Sequence, residues 1–220
     1  MLDFAAARRM MVDGQVRTAD VTDLRLLDAM GQLPRERFVA PDQAPLAYLD
    51  RDLPASDGEG GSRRCLLKPM VLAKLIQAAE ITPADRVLDV GCATGYSSAL
   101  LAQLAASVVA LEEDRALAGA AERNLSQLPN VKVVTGPLVM GWPAFEPYDV
   151  ILMQGAAEVA PDALLSQLKD GGRLVCVFGP EPQRKAVIYR RSDGETSGRP
   201  MFDAAAPLLP GFSRKPAFVF

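Results

Sequence analysis

The stretch Arg86–Val90 ends in Gly91-Cys92-Ala93-Thr94-Gly95 and runs directly into an apolar, helically spaced segment over residues 96–104. A short apolar run, a glycine-bounded turn and a helical pattern make a strand–turn–helix unit. This unit constrains the chain more than any other feature, because a strand feeding a helix through a tight turn is half of a βαβ crossover. The rhythm then repeats. Residues 107–111 read as a strand, 115–127 as a helix, 131–135 as a third strand and 148–153 as a fourth. Residues 161–168 read as a helix stopped by Gly171-Gly172, and 173–178 as a fifth strand. Two further apolar stretches, 186–189 and 217–220, suit antiparallel strands. The prediction is an α/β, Rossmann-like fold: a mostly parallel sheet with helices on both faces.

Ahead of this core the pattern is helical. Residues 3–13 and 23–32 read as helices, the second capped by Thr22 or Asp20, with Leu24, Leu27 and Met30 on one face. Pro34, Pro41 and Pro45 interrupt the next stretch, and residues 50–64 are rich in Asp, Gly, Ser and Arg, as an exposed loop would be. Residues 68–79 return to helix, with Val71, Leu72, Leu75 and Ile76 sharing a face. At 220 residues, one domain over 1–220 is expected, divided into an N-terminal helical region (1–80) and the Rossmann-like core (81–220). The loop at 55–65 is either a gate over the site or a passive surface loop.

The glycine turn marks the candidate site. Glycine lets a backbone approach a ligand with no Cβ in the way, and ligands of open α/β sheets lie beyond the carboxyl ends of the strands. Glu112 closes the next strand, about 20 residues past the turn, where a carboxylate accepts hydrogen bonds from both ribose hydroxyls. Cys92, Ala93 and Thr94 separate the two glycines, so the Gly-x-Gly-x-x-Gly dinucleotide fingerprint is missing. Asp89 before the turn would repel a pyrophosphate but tolerates a cationic sulfonium nucleoside. Asp89, Gly91, Cys92, Ala93, Gly95, Tyr96 and Glu112 are therefore the expected cofactor-binding set. The competing reading is that Asp89 caps the loop and the glycines only turn it.

Composition excludes other chemistry. The chain contains no histidine, which removes Ser-His and Cys-His catalysis and most transition-metal sites. Its three cysteines are far apart and form no metal-ligand spacing, so no metal is expected. The formal net charge is −3. The basic clusters, Arg63-Arg64, Arg184-Lys185 and Arg190-Arg191, are short and read as solvated loop charge, so no nucleic-acid partner is expected. No apolar run approaches the ~20 residues needed to span a bilayer. The first residues also lack the order of a secretion signal, so a cytoplasmic location with no membrane partner is expected.

At the glycine motif the sequence resembles class I S-adenosylmethionine-dependent methyltransferases, and over most of its length it resembles the protein-L-isoaspartate O-methyltransferase family. Arg17, Leu26-Leu27-Asp28-Ala29-Met30, Pro34-Arg35-Glu36-Arg37-Phe38-Val39, Ala47-Tyr48-Leu49-Asp50 and Leu53-Pro54 carry the N-terminal likeness. Val87-Leu88-Asp89-Val90-Gly91 with Gly95-Tyr96, Tyr148-Asp149-Val150-Ile151, and Leu168 through Val175 carry the rest. The resemblance implies S-adenosyl-L-methionine as cofactor and methyl transfer to the carboxylate of isomerised aspartyl residues. The partner would be a protein or peptide substrate, or a small carboxylate. It assigns no catalytic residue here, because such a nucleophile is already ionised. Two departures stand out. Leu67 occupies the place of a serine that the family holds near the transferring methyl. Gly136-Pro137-Leu138 replaces Gly-Asp-Gly, whose Asp faces the adenine. The alternative is a methyltransferase-like protein that binds the same cofactor with a different substrate or no turnover. A nicotinamide-dependent dehydrogenase is disfavoured by the glycine spacing.

Overall fold

The computed structural model describes residues 3–55 and 64–214. Its elements run α1 (Phe4–Met11), α2 (Leu24–Gln32), β1 (Leu53–Pro54), β2 (Cys65–Leu66), α3 (Pro69–Ala78) and β3 (Arg86–Val90). They continue α4 (Tyr96–Ala102), β4 (Ser107–Glu112), α5 (Arg115–Leu125), β5 (Val131–Thr135), β6 (Tyr148–Ala157), α6 (Asp162–Ser166), β7 (Leu168–Phe178), β8 (Lys185–Ser192) and β9 (Glu195–Asp203).

Seven strands form one sheet in the order β5-β4-β3-β6-β7-β8-β9. The first five are parallel; β8 and β9 add antiparallel. The chain leaves β3 toward β4 and β5 on one side, then returns through β6 to β7 on the other. The order therefore reverses at β3, and a crevice opens beyond its carboxyl end. Alternation within β3 explains why both faces are covered. Val87 packs into the core beneath α3, α4 and α5, whereas Leu88 and Val90 face the opposite core, which includes Leu164 and Leu165 of α6. Strands buried on both faces read as nearly continuous apolar runs. The N-terminal helices share the first core: Met11, Leu26, Leu27 and Met30 belong to the same cluster as Leu72, Leu100 and Val150.

Several boundaries differ from the sequence reading. Asp23, rather than Thr22 or Asp20, caps α2, its carboxylate accepting from the Arg25 and Leu26 N–H groups at 2.9 and 3.4 Å. Thr22 N–H is engaged elsewhere, by Gln77 Oε1 at 2.6 Å. Leu24 is exposed, and Leu26 is buried instead. Gly171-Gly172 does not end a helix. Both lie inside β7, where a Cβ at Gly172 would press on the Lys169 and Tyr148 carbonyls, and the β6–β7 register shifts nearby. β9 is a strand that the apolar pattern does not mark. It pairs with β8 across Asp193-Gly194, both at positive φ, the backbone that a two-residue hairpin turn requires. That dipeptide is the signal the sequence offers for it. The strand expected at 217–220 lies outside the described residues.

Candidate functional site

β3 and β4 lie side by side, so the glycine turn and Glu112 meet at their carboxyl ends, with Val90 opposite Leu111. Gly91 and Ala93 adopt positive φ, at 78° and 51°. This curls the turn so that Ala93 N–H points at Glu112, donating to Oε2 at 2.8 Å. The Glu113 and Asp114 N–H groups donate to Oε1 at 2.9 and 3.2 Å. The carboxylate of Glu112 is fully buried and held in one orientation.

Arg64 completes this arrangement. Its guanidinium donates to both oxygens of Glu112, Nε to Oε1 at 3.3 Å and Nη2 to Oε2 at 3.1 Å. Nη2 also donates to the Gly91 carbonyl at 2.6 Å. Arg64 is only 4% exposed, so the expectation of solvated loop charge fails there. Arg184 departs from it as well: it is largely buried against Glu158 and the Ala206 carbonyl. In both cases a nearby carboxylate or carbonyl compensates the desolvation of the charge.

Asp89 is fully buried. It accepts from Ser97 Oγ at 2.7 Å, Ser98 Oγ at 2.6 Å and Gln154 Nε2 at 3.0 Å. Burial pushes its carboxyl above the ordinary range, and the hydrogen bonds from Ser98, Ser97 and Gln154 oppose that shift. Asp89 thus ties β3 to the first turn of α4 and to β6. Gly95 opens α4 at φ 96°, and a Cβ there would come within 2.8 Å of Leu125 Cδ1. Its glycine serves helix packing. At Gly91 the neighbour that a Cβ would strike is the Arg64 guanidinium.

Beyond the turn lies a small cavity of about 10 Å³, lined by Gly91, Cys92, Ala93, Tyr96, Leu67 and Arg35 among others. It has room for about one water. Burial drives the Cys92 thiol well above its usual range, so Cys92 is a neutral wall residue. Arg35 is fully buried. Its Nε donates to the Ala47 carbonyl and its Nη2 to the Leu67 carbonyl, both at 2.8 Å, and its guanidinium stacks 4.6 Å from the Tyr96 ring centroid. Among the described residues, Arg35 Nη1 and the Tyr96 hydroxyl make no well-formed hydrogen bond, although the guanidinium lies close enough to the hydroxyl to interact with it. A second opening of about 140 Å³, lined by Arg64, Glu112, Glu113, Asp114 and Pro210, lies on the outer side of the guanidinium. Larger hollows, of about 330 and 440 Å³, border Arg86, Pro147, Asp149 and Lys169 at the opposite ends of the strands. Ligands of this architecture do not bind at those ends.

Of the residues picked from sequence, Gly91, Cys92, Ala93, Tyr96 and Glu112 converge on this one place, while Asp89 and Gly95 support it from behind. Arg64, Arg35 and Gln154 escape a reading of the sequence. No local pattern marks them, since each reaches the site from a distant element. Ser97 and Ser98 are readable in principle as hydroxyls in the first helical turn after the glycine motif. Pro137 is exposed, and the Leu138 N–H beside it donates to Glu113 Oε2 at 3.4 Å. Most of the 55–65 loop, Arg63 included, lies outside the described residues. Among the described residues no group of His, Cys, Asp and Glu is placed to hold a metal ion.

The reversal at β3, the glycine turn after it and the acid closing the next strand define a class I methyltransferase. Residues 7–205 match the family model of protein-L-isoaspartate(D-aspartate) O-methyltransferase, and the chain belongs to that family. It is 41% identical over 180 residues to the protein-L-isoaspartate O-methyltransferase of Protochlamydia amoebophila, covering 81% of this chain and 83% of that one. It is 37% identical over 217 residues to that of Koribacter versatilis, covering 97% and 96%. A solved protein-L-isoaspartate O-methyltransferase superimposes with a TM-score of 0.80 at 26% identity, covering 93% of this chain and 66% of that one. A Plasmodium falciparum structure described as a complex with S-adenosyl-L-homocysteine shares the fold, with a TM-score of 0.78 at 17% identity.

Proposed function

We propose that this chain transfers a methyl group from S-adenosylmethionine to the free carboxylate of isomerised aspartyl residues in proteins. The observation that carries the reading is Glu112, buried, anchored by three backbone N–H groups and facing a turn that lacks a Cβ. A carboxylate fixed in this way is oriented to accept two vicinal hydroxyls in place of side-chain donors. Glu112 would hold the ribose, and the Gly91-Cys92-Ala93 backbone would line the methionyl portion. Tyr96, at the start of α4, and Asp89, through Ser97, Ser98 and Gln154, would keep that backbone in place. The cofactor supplies an electrophilic methyl on a sulfonium, so an ionised acceptor requires no general base.

The protein's contribution is alignment and exclusion of water. Leu67, Leu72 and Cys92 make an apolar wall around the cavity. Among the described residues, Arg35 Nη1 and the Tyr96 hydroxyl, which lie close to each other, make no other hydrogen bond and would together suit a carboxylate. The whole chain would work as one unit, with the 1–80 region supplying Arg35, Leu67 and Leu72 to this wall and the 81–220 core supplying the turn with Cys92 and Tyr96. A cytoplasmic protein or peptide substrate fits this chemistry, and nucleic acid does not. Among the described residues no helix is long and apolar enough to cross a membrane.

A specific feature favours the second reading, slow or altered turnover. Leu67 is buried where the family resemblance places a hydroxyl. The deciding experiment uses labelled S-adenosylmethionine, a peptide containing isoaspartate, and its aspartyl twin. Base-labile label on the isoaspartyl peptide alone supports the proposal, and Leu67→Ser should raise its rate severalfold. Cofactor binding with no label on either peptide would leave the second reading.

A further inference from the structure

Arg64 makes both contacts that the sequence assigns to a nucleoside. Its guanidinium rests on Gly91, where the missing Cβ admits a ligand, and it forks onto both oxygens of Glu112. Glu112 has no acceptor capacity left. Oε1 already takes the Glu113 and Asp114 N–H groups with Arg64 Nε, and Oε2 takes the Ala93 N–H with Arg64 Nη2. An ionised carboxylate offers about four lone-pair sites. With five donors in place the carboxylate is already crowded, so two ribose hydroxyls cannot join Arg64 but can replace its two donors one for one. The space agrees. The cavity on the Gly91 side holds about 10 Å³ and the opening on the Asp114 side about 140 Å³. Arg64 contacts Gly91 on the one side and lines the other. A ligand of nucleoside size or larger typically needs roughly 300 Å³ or more.

We propose that Arg64 is a resident competitor for the ribose subsite, a side chain of the protein that must leave Gly91 and Glu112 before the nucleoside cofactor can enter. The proposal rests on the reading of this site as a cofactor site. Its logic is mass action within one chain. The binding-competent state is the fraction of molecules with Arg64 withdrawn, and the apparent dissociation constant is the intrinsic one divided by that fraction. The displacing ligand must return to Glu112 what the guanidinium gave it, namely two donors in fork geometry. A cis-diol does this; a deoxyribose or a lone adenine ring does not. Arg64 thus sets both the affinity of the site and its demand for an intact ribose.

The arrangement also makes stability and binding move in opposite directions. Removing the guanidinium takes an ion-pair partner from a buried carboxylate, so the ligand-free protein loses stability. Three backbone N–H groups still satisfy that carboxylate, so the fold survives. The same removal empties the ribose subsite, so affinity rises. A side chain that merely touched bound cofactor would lose affinity when removed.

The test is calorimetric titration of S-adenosylhomocysteine into the wild type, Arg64→Ala and Arg64→Lys, with thermal melts of each ligand-free protein. Arg64→Ala should bind at least tenfold tighter while its own melting temperature falls. Arg64→Lys, which keeps the charge but loses the fork, should lie between. The wild type gives an independent readout through arginine-selective modification by phenylglyoxal, mapped by mass spectrometry. Arg64 should be protected in the free protein and modified faster when S-adenosylhomocysteine is saturating. Unchanged or weaker binding by the variants, or Arg64 protected further by ligand, overturns the proposal and leaves the cofactor reading intact. No binding by any of the three proteins overturns the cofactor reading and this proposal with it.

Discussion

On the β4 wall of the site, Glu112 accepts from Ala93, Glu113, Asp114 and Arg64, and Asp89 behind it accepts from Ser97, Ser98 and Gln154. On the facing side, where Arg35 of the N-terminal region stacks on Tyr96 of α4, Arg35 Nη1 and the Tyr96 hydroxyl have no hydrogen-bond partner among the described residues. The difference follows from how each wall is made. The first combines backbone N–H groups aimed at Glu112 by the turns after β3 and β4 with side-chain donors from α4 and β6 aimed at Asp89, so its carboxylates are satisfied before any ligand arrives. The second brings a buried cation beside carbonyls and an aromatic face, with donors left over. A pre-satisfied wall holds its shape; a wall with spare donors calls for a water or an anion to complete it.

Removing the central carboxylate should break this contrast most strongly. Glu112→Ala leaves three backbone N–H groups and a guanidinium without their acceptor. Thermal or urea unfolding should show a loss of about 3–5 kcal/mol. A loss below about 1 kcal/mol, the worth of a single ordinary hydrogen bond, would mean that the β4 wall is not organised around Glu112. Asp89→Ala comes next. It strands two hydroxyls and an amide inside the protein but leaves the turn's own backbone bonds, so a loss of about 1–3 kcal/mol is expected. Cofactor affinity should follow only indirectly, through loosening of the Gly91–Gly95 turn. If Asp89→Ala abolished binding while stability stayed unchanged, Asp89 would be a direct ligand contact and the assignment of the two acids would need to be exchanged.

The β3–α4 unit is legible in the sequence nearly to the residue, and Glu112 with it. The short apolar run, the glycine spacing and the helical pattern are all local, and the parallel register then carries the end of β4 to the turn after β3. Arg64 and Arg35 are not legible. Each is a lone cation in a polar stretch, and its burial depends on which carboxylate or carbonyl the tertiary fold delivers to it. For the same reason Arg64 reads, in sequence, as solvated charge. Leu24 and the Gly171-Gly172 pair mislead differently. There the local pattern is consistent with a buried helix face and a helix stop, but packing against α3 and the β6–β7 bulge decides otherwise. β9 is legible only through turn chemistry, in Asp193-Gly194, because its own residues are polar and exposed.

A smaller effect sharpens the account at residue 137, where the family resemblance puts the adenine. Pro137 is exposed, beside the turn that begins at Leu138, and supplies neither an N–H nor a carboxylate. Pro137→Asp should tighten S-adenosylhomocysteine binding by about fivefold to tenfold, the worth of one added hydrogen bond of ~1 kcal/mol. Its melting temperature should be little changed. No gain in affinity would place the adenine away from residue 137.

The most direct test of the central claim, that Glu112 and the glycine turn hold a sulfonium nucleoside, is the affinity of S-adenosylhomocysteine for the wild type and for Glu112→Gln, measured by calorimetry beside NAD. The account predicts micromolar binding to the wild type, about −8 kcal/mol, and at least tenfold weaker binding to the variant, whose neutral amide cannot accept both ribose hydroxyls. NAD should give no measurable heat. Equal affinity for the wild type and Glu112→Gln, or tighter binding of NAD than of S-adenosylhomocysteine, would contradict it.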